Sequence, residues 1–187
     1  EDAQESASLY FLYDGTRHVL TGCRTNIAVT YTALEIPHFR ATWVGLIGAV
    51  TDVGAMPAVT TTGWVDPVPV EKANTIMSLH GWTAVAESVS LDMGNTLTPR
   101  FMIGDERVLI TDRSSTGTAV VEARSVATID WLGRAKGRTR GPLSIVHGTT
   151  AGNIVEITAP AVEVGKIEQR CAGRNRLMGA LVCQRTP

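Results

Sequence analysis

Apolar residues alternate with polar or small residues along several segments of this chain, and this period of two constrains its fold most. Residues 27–32 (IAVTYT), 39–44 (FRATWV) and 88–93 (SVSLDM) follow the pattern. Because successive side chains of a β-strand point to opposite faces, such segments are typical of half-buried strands. Threonine, valine and glycine are plentiful and only 5% of residues are aromatic, which also favours strands over helices.

Turn residues separate the alternating segments. Asp14 and Gly15 lie between two apolar runs, and a DG pair tolerates the positive φ that a tight hairpin turn requires. Residues 143–146 and 154–158 flank a glycine-bearing segment, residues 147–153 (HGTTAGN), which predicts a second hairpin. Further strands are predicted at residues 75–79, 84–93, 98–103, 107–111, 118–122 and 162–164.

One segment has the pattern of a helix. Ser125 or Thr128 is placed to cap it, and an apolar stripe of spacing three follows. A basic last turn with a glycine stop ends it at residues 136–137. The stripe consists of Val126, Ile129 and Leu132. The predicted fold is therefore mainly β: a β-sandwich or barrel of about ten short strands with one flanking α-helix.

Glycine and proline divide the chain further. Residues 45–71 contain four glycines and three prolines, a density that predicts a long loop, and a loop of this length usually has a function. Residues 1–7 (EDAQESA) are polar and predict a flexible segment before a β domain at 8–168. Residues 169–187 are arginine-rich and contain no acidic residue and no period of two, which predicts an atypical basic tail.

Charge and cysteine content exclude several classes of function. The formal net charge of -1 provides no basic face for gripping a nucleic-acid backbone. Three scattered cysteines do not make a disulfide framework and suit a reducing cytoplasm. No apolar run approaches the ~20 residues of a membrane span, and no signal-peptide pattern opens the chain, so no membrane partner is expected.

No catalytic pattern emerges from the residues. The four histidines stand far apart without metal-ligand spacing, and Ser144 lies in an apolar strand rather than in a G-x-S-x-G turn. Cys23 has no local protease signature, and residues 148–153 lack the lysine and the helix of a phosphate-binding loop. The basic segment at 134–140 follows the predicted helix end, where its charges are favoured anyway. The sequence predicts no enzyme, no cofactor and no metal.

Four segments together resemble the major tail tube proteins of siphophages, bacteriophages with long non-contractile tails, and of related prophages. They are residues 13–24 (YDGTRHVLTGCR), 88–95 (SVSLDMGN), 103–113 (IGDERVLITDR) and 143–160 (LSIVHGTTAGNIVEITAP). Each is a strand-and-turn pattern, and their joint order and spacing carry the resemblance. Beyond it, residues 169–187 depart from the family, whose closing strand is expected to be missing there, as in an out-of-frame or recombined end.

The resemblance implies a structural virion protein. Subunits of this family form hexameric rings that stack into a tube, each contributing strands to a barrel through which the phage genome passes during ejection. Its partners would be further copies of itself and other tail proteins such as the tape measure and the terminator. DNA would pass without specific binding, and the protein would reside in the virion tail after synthesis in the host cytoplasm.

Two sets of residues follow as site predictions. The long loop is expected to bridge successive rings through Val50, Met56, Trp64 and Val65. Acidic residues are expected to face the lumen, because a mildly acidic channel lets DNA slide. They are Glu87, Asp92, Asp105 and Glu106.

Two alternatives stay open. A tail terminator, a head-tail connector or a capsid decoration protein would share the short strands and the self-association, but a terminator forms a single ring. A small β-barrel enzyme would instead use a histidine or carboxylate site assembled across strands.

Overall fold

A computed structural model describes residues 5–172 and 175–184, with side chains described up to residue 168. These residues contain twelve strands and one helix, which confirms the predicted mainly β class. The elements are β1 Ala7–Tyr13, β2 Thr16–Thr32, β3 His38–Asp52, β4 Thr75–Leu79, β5 Trp82–Thr83, β6 Ala86–Asp92, β7 Asn95–Met102, β8 Asp105–Arg113, β9 Ser115–Glu122, α1 Trp131–Lys136, β10 Arg140–His147, β11 Val155–Ala172 and β12 Asn175–Gln184. Every strand pair whose register is given is antiparallel.

The chain divides into two compact units. The first comprises residues 1–27, 41–64 and 94–113, and the second comprises 28–40, 65–93 and 114–187. In the first unit β1 and β3 pair with β2, and β7 and β8 form a separate two-stranded sheet. In the second unit the strand order is β2, β6, β9, β12, β11, β10, β4 and β5.

The main hydrophobic core belongs to the second unit. It consists of Val29, Tyr31, Met77, Leu79, Val89, Ala119, Val121, Ile129, Trp131, Leu143, Ile145, Val162 and Val164. Pairs two residues apart, such as Val29 with Tyr31 and Val162 with Val164, point into this core as the period of two predicts. The sheet therefore turns its alternating apolar face onto itself, and α1 adds Trp131, its one buried residue.

The predicted hairpins are present. Asp14 and Gly15 have φ values of 47° and 77° and connect β1 to β2. Residues between β10 and β11 form the glycine-bearing loop of an antiparallel hairpin. A similar turn connects β4 and β5 at His80 and Gly81, with φ values of 51° and 79°. The sequence did not predict this turn, because histidine is a less usual first residue than asparagine or aspartate.

The helix begins later than predicted. The carboxylate of Asp130, rather than Ser125 or Thr128, accepts a hydrogen bond from the Gly133 N–H at 2.8 Å. Ser125 and Thr128 belong to the preceding turn, in which their hydroxyls lie 2.9 Å apart. The helix ends as predicted, with Lys136 followed by Gly137.

The predicted apolar stripe of the helix is also wrong. Ile129 is buried, but Val126 and Leu132 are exposed, and Trp131 provides the buried contact. A six-residue helix has too few turns for a three-residue spacing to define one face.

Residues 45–52 are not part of a loop, because β3 continues through them to Asp52. Two glycines explain the error: a Cβ added to Gly45 would lie 2.4 Å from Cys23 Sγ, and one added to Gly48 would lie 3.2 Å from the Val19 carbonyl oxygen. Glycine is therefore needed here for the close approach of β2, not for a turn. The irregular segment begins at Val53.

The expected absence of a closing strand is wrong. β11 continues to Ala172, and β12 lies between β11 and β9 with both edges paired. A segment without proline can fill such a gap through its backbone N–H and C=O groups, which needs no alternating side-chain pattern.

We expect Gly45→Ala to destabilise the first unit by about 1–3 kcal/mol, because its methyl group would overlap Cys23 Sγ. Gly54→Ala is the matched control, since no atom lies within 4 Å of its added Cβ. Urea unfolding followed by circular dichroism measures both, and adding Cys23→Ala should recover part of the loss. Equal stability of the two single variants would contradict the close packing of β2 and β3.

Candidate assembly surfaces

The first unit exposes about half of its large apolar side chains and buries few of them fully. Of its described residues only Val19, Cys23 and Val108 are buried apolar residues, compared with thirteen in the core of the second unit. Its exposed large apolar residues are Tyr10, Phe11, Tyr13, Trp43, Ile47, Val50, Met56, Val59, Trp64, Phe101, Met102 and Ile103. Large exposed apolar surfaces are typical of protein–protein contact sites.

The strand β3 carries this exposure along much of its length. The alternating segments at 27–32 and 39–44 were expected to be half-buried, and the first meets this with buried Val29. The second does not, because Phe39 is 54% exposed and Trp43 is 38% exposed. In the described part of the chain β3 pairs only with β2. Its second edge therefore presents backbone groups without a neighbouring strand, beside uncovered apolar side chains.

All four residues predicted for the inter-ring loop are exposed, although they do not share one element. Val50 lies in β3, whereas Met56 and Trp64 lie in the irregular segment that follows. Val65 belongs to the second unit. The irregular segment has few backbone hydrogen bonds, and one of them joins the Trp64 N–H to the Thr61 carbonyl oxygen at 3.1 Å. Whether it bridges rings remains a prediction.

The predicted lumen-facing acids lie in two places. Asp105 and Glu106 begin β8, at the tip of the β7–β8 hairpin, and Asp105 is 3.1 Å from Arg107 Nε in an exposed ion pair. Glu87 and Asp92 lie in β6.

A register shift in β6 affects the position of Glu87. Opposite β9, Ala86 pairs with Val121 and Ser88 pairs with Val120, so Glu87 is the extra residue of a β-bulge. Strict alternation from buried Val89 would turn Glu87 into the core, but Glu87 is exposed. Glu87 lies instead at an apolar cleft that Tyr31, Met77 and Val89 also line, and Asp92 is not among the residues that line this cleft.

No catalytic constellation appears among the described residues. Their His, Cys, Asp and Glu side chains form no group of three that could hold a metal ion. His18 stacks on Phe11 with ring centroids 4.9 Å apart, and His38 is exposed. Cys23 is buried as a free thiol, and Ser144 lies within β10. No helix of the described chain has the length and hydropathy to cross a membrane.

The glycine loop at 148–153 closes on itself rather than forming a cradle. A Cβ at Gly148 would lie 1.9 Å from the Asn153 carbonyl oxygen, and Gly148 has a φ of 94°. β11 follows this loop, whereas a phosphate-binding loop is followed by a helix. The alternative of a hairpin loop, favoured by the sequence, is confirmed.

The basic segment at 134–140 is in part structural. The Arg134 guanidinium donates a hydrogen bond to the His80 carbonyl oxygen at 3.3 Å and lies 5.7 Å from the Trp131 ring centroid. Lys136, Arg138 and Arg140 are exposed.

A polar chain lies inside the second unit. His147 is only 4% exposed, and its Nδ1 is 2.8 Å from the Thr75 hydroxyl, which donates to Asn74 Oδ1 at 2.9 Å. Since that hydroxyl has one proton, the consistent arrangement has His147 Nδ1–H donating to Thr75. The Tyr31 ring lies 5.8 Å from the His147 ring, and burial raises the pKa of Tyr31.

An apolar cleft of about 670 Å³ lies next to these hydrogen-bonded side chains, and Thr75 is part of its lining. Its lining includes Tyr31, Thr75, Met77, Val85 and Ile145. The separation of 72 residues between Thr75 and His147 left no local motif, so sequence patterns missed the pair. The hydrogen bond to Thr75 orients His147 within the sheet. Among the described residues, no carboxylate forms a hydrogen bond that would activate the His147 ring.

Comparison with known proteins gives no identification: no protein-family model matches the chain, and no curated protein matches its sequence.

We expect Thr75→Val to cost about 1–3 kcal/mol of unfolding free energy, because it leaves buried His147 Nδ1 and Asn74 Oδ1 without the hydroxyl. Thr75→Ser keeps that hydroxyl and should remain within ~1 kcal/mol of the parent chain. Denaturant unfolding at pH 7.5 compares the three. A valine variant as stable as the serine variant would refute the proposed polar chain.

Proposed function

We propose that this protein is the major tail tube subunit of a siphophage or a related prophage, a structural virion protein that assembles into stacked hexameric rings. The observation that carries the proposal is the apolar, incompletely paired β-surface of the first unit. The resemblance of four sequence segments to this protein family supports it from a separate direction.

Energetics favour a partner for the first unit. Burying one large apolar side chain contributes about 1.5–3 kcal/mol, whereas ordering one residue's backbone costs about 1–2 kcal/mol. Three apolar side chains of the described first unit are buried and others are only partly covered, so further burial would stabilise it. Other copies of the same chain would supply that burial by covering β3 and the β7–β8 hairpin.

Strand edges favour a closed ring over a simple pair. An unpaired edge invites a neighbouring strand, and closing a sheet on itself is the way to remove all such edges. A head-to-tail contact between copies closes into a ring when its rotation permits. In such a ring β3 of one subunit would pair with a strand of the next, and the exposed segment from Val53 to Trp64 would contact the adjacent ring.

Charge is compatible with a DNA conduit. The chain has a net charge of -1, so its tube would not hold the genome by electrostatic attraction to the DNA phosphates. We propose that some of Glu87, Asp92, Asp105 and Glu106 face the lumen. A tube reconstruction that placed all four on the outer surface would remove this part of the proposal.

Negative-stain electron microscopy of concentrated protein should show long hollow tubes. Ile47→Glu should abolish them, because a carboxylate in a buried contact costs several kcal/mol, while its 84% exposure leaves the fold of the single chain intact. Val126→Glu is the matched control, since Val126 is an exposed apolar residue of a turn in the second unit. This variant should still form tubes.

Two outcomes would contradict the proposal. Single rings that do not stack would favour a terminator or connector, and monodisperse monomers at all concentrations would exclude assembly through the first unit. Size-exclusion chromatography with light scattering distinguishes these outcomes, and circular dichroism verifies that each variant is folded.

A further inference from the structure

His80 lies at the turn between β4 and β5, where it joins this hairpin to three other elements. Its N–H donates to the Pro142 carbonyl of β10 at 2.7 Å, and its Nε2 lies 2.9 Å from the Val162 carbonyl oxygen of β11. Its carbonyl accepts from Arg134 of α1, and its ring meets the Trp131 ring edge-on at 5.9 Å. The residue therefore connects the helix to the sheet.

The hydrogen bond to Val162 determines where the ring proton is. A carbonyl oxygen only accepts, so Nε2 carries the proton, and in a neutral ring Nδ1 is bare. Nδ1 is buried and has no hydrogen-bond partner among the described residues. The ring packs closely against the Gly141 backbone, because a Cβ at Gly141 would lie 2.6 Å from His80 Cγ. Protonating Nδ1 would therefore create a buried N–H without an acceptor, on a ring that becomes cationic.

The charges around the ring oppose that proton. On α1 the Arg134 guanidinium acts on His80, while Lys136 is exposed. The nearest charged residues of the two strands are Arg140 of β10 and Glu163 of β11. They are opposite each other in the strand register, next to the Gly141–Val162 pair. Alternation of side chains places them on the opposite face of the sheet. No carboxylate among these groups faces the imidazole to stabilise its charged form.

We propose that His80 is an acid-sensitive latch for helix α1: the neutral ring holds the helix against the sheet, and protonation releases it. Release would separate Trp131 from Trp82, whose rings meet at 5.8 Å, and expose apolar surface of the second unit. This device does not depend on the proposed function, since it lies wholly within the second unit.

The pH dependence has a definite sign. Burial, together with repulsion from Arg134, lowers the pKa of His80 below its ordinary value of 6.5, although the Val162 hydrogen bond opposes this. The unfolded chain therefore binds the proton more readily than the folded chain. The contribution of neutral His80 is complete above the unfolded pKa and is lost as pH falls from there towards the folded pKa.

Unfolding equilibria of dilute protein between pH 7.5 and 5 test the latch. Relative to His80→Gln, whose amide can still donate to Val162, the parent chain should lose stability on acidification, about tenfold in the unfolding constant for each unit of pKa depression. His38→Gln, which alters an exposed ring, should follow the parent chain. Parallel curves for the parent and His80→Gln would overturn the proposal.

Two further measurements do not depend on the glutamine variant and test the latch even if that variant does not fold. Nuclear magnetic resonance should show the His80 ring titrating below an unfolded histidine, and Arg134→Met should move that titration upward. Amides of α1, corrected for intrinsic exchange, should lose protection at pH 5 before those of β10. A His80 titration at or above the unfolded value, or equal protection of α1 at both pH values, would contradict the latch.

Discussion

Backbone pairing and apolar burial must both be completed for any β-strand, and the two units of this chain meet that requirement to different degrees. In the second unit β6, β9, β12, β11 and β10 each have a strand on both sides, and alternating apolar residues of β6, β9, β10 and β11 share one core. In the first unit β3 has one partner strand and exposes large apolar side chains. The proposed assembly follows from this difference, because copies of the chain can supply what a single copy lacks.

Hydrogen bonds inside the second unit hold two histidines in fixed positions. His147 is fixed through Thr75 and Asn74, and His80 is fixed by its backbone N–H, which donates to the Pro142 carbonyl, and by its ring Nε2 at the Val162 carbonyl oxygen. Buried polar groups of this kind specify one arrangement of strands, since any slip would leave them unpaired. The bare Nδ1 of His80 is an exception, and this unsatisfied atom is the basis of the proposed response to acid.

Local patterns predicted the fold class because hairpin turns and alternation are short-range properties. Asp14 and Gly15 predicted the first hairpin, and the period of two predicted that Val29 and Tyr31 face the core. Features that depend on distant neighbours were missed: Gly45 suggested a loop, but the close approach of Cys23 explains it.

The closing strand β12 was missed for a related reason, because its place is set by the gap between β9 and β11. For the candidate surfaces, the sequence identified exposed residues such as Met56 and Trp64. It did not predict the exposed face of β3, because alternation alone does not tell whether an apolar face is covered. The bulge at Glu87 likewise became visible only from the register with β9.

The central claim is that the first unit is completed by other copies of the chain, and hydrogen–deuterium exchange at two protein concentrations tests it most directly. In dilute protein, amides of β10 and β11 should already be protected, while part of β3 exchanges rapidly. At high concentration the same β3 amides should become protected by at least about tenfold, as new backbone hydrogen bonds form. Exchange in β3 that is equally slow at both concentrations, in a chain that remains monomeric, would contradict the account.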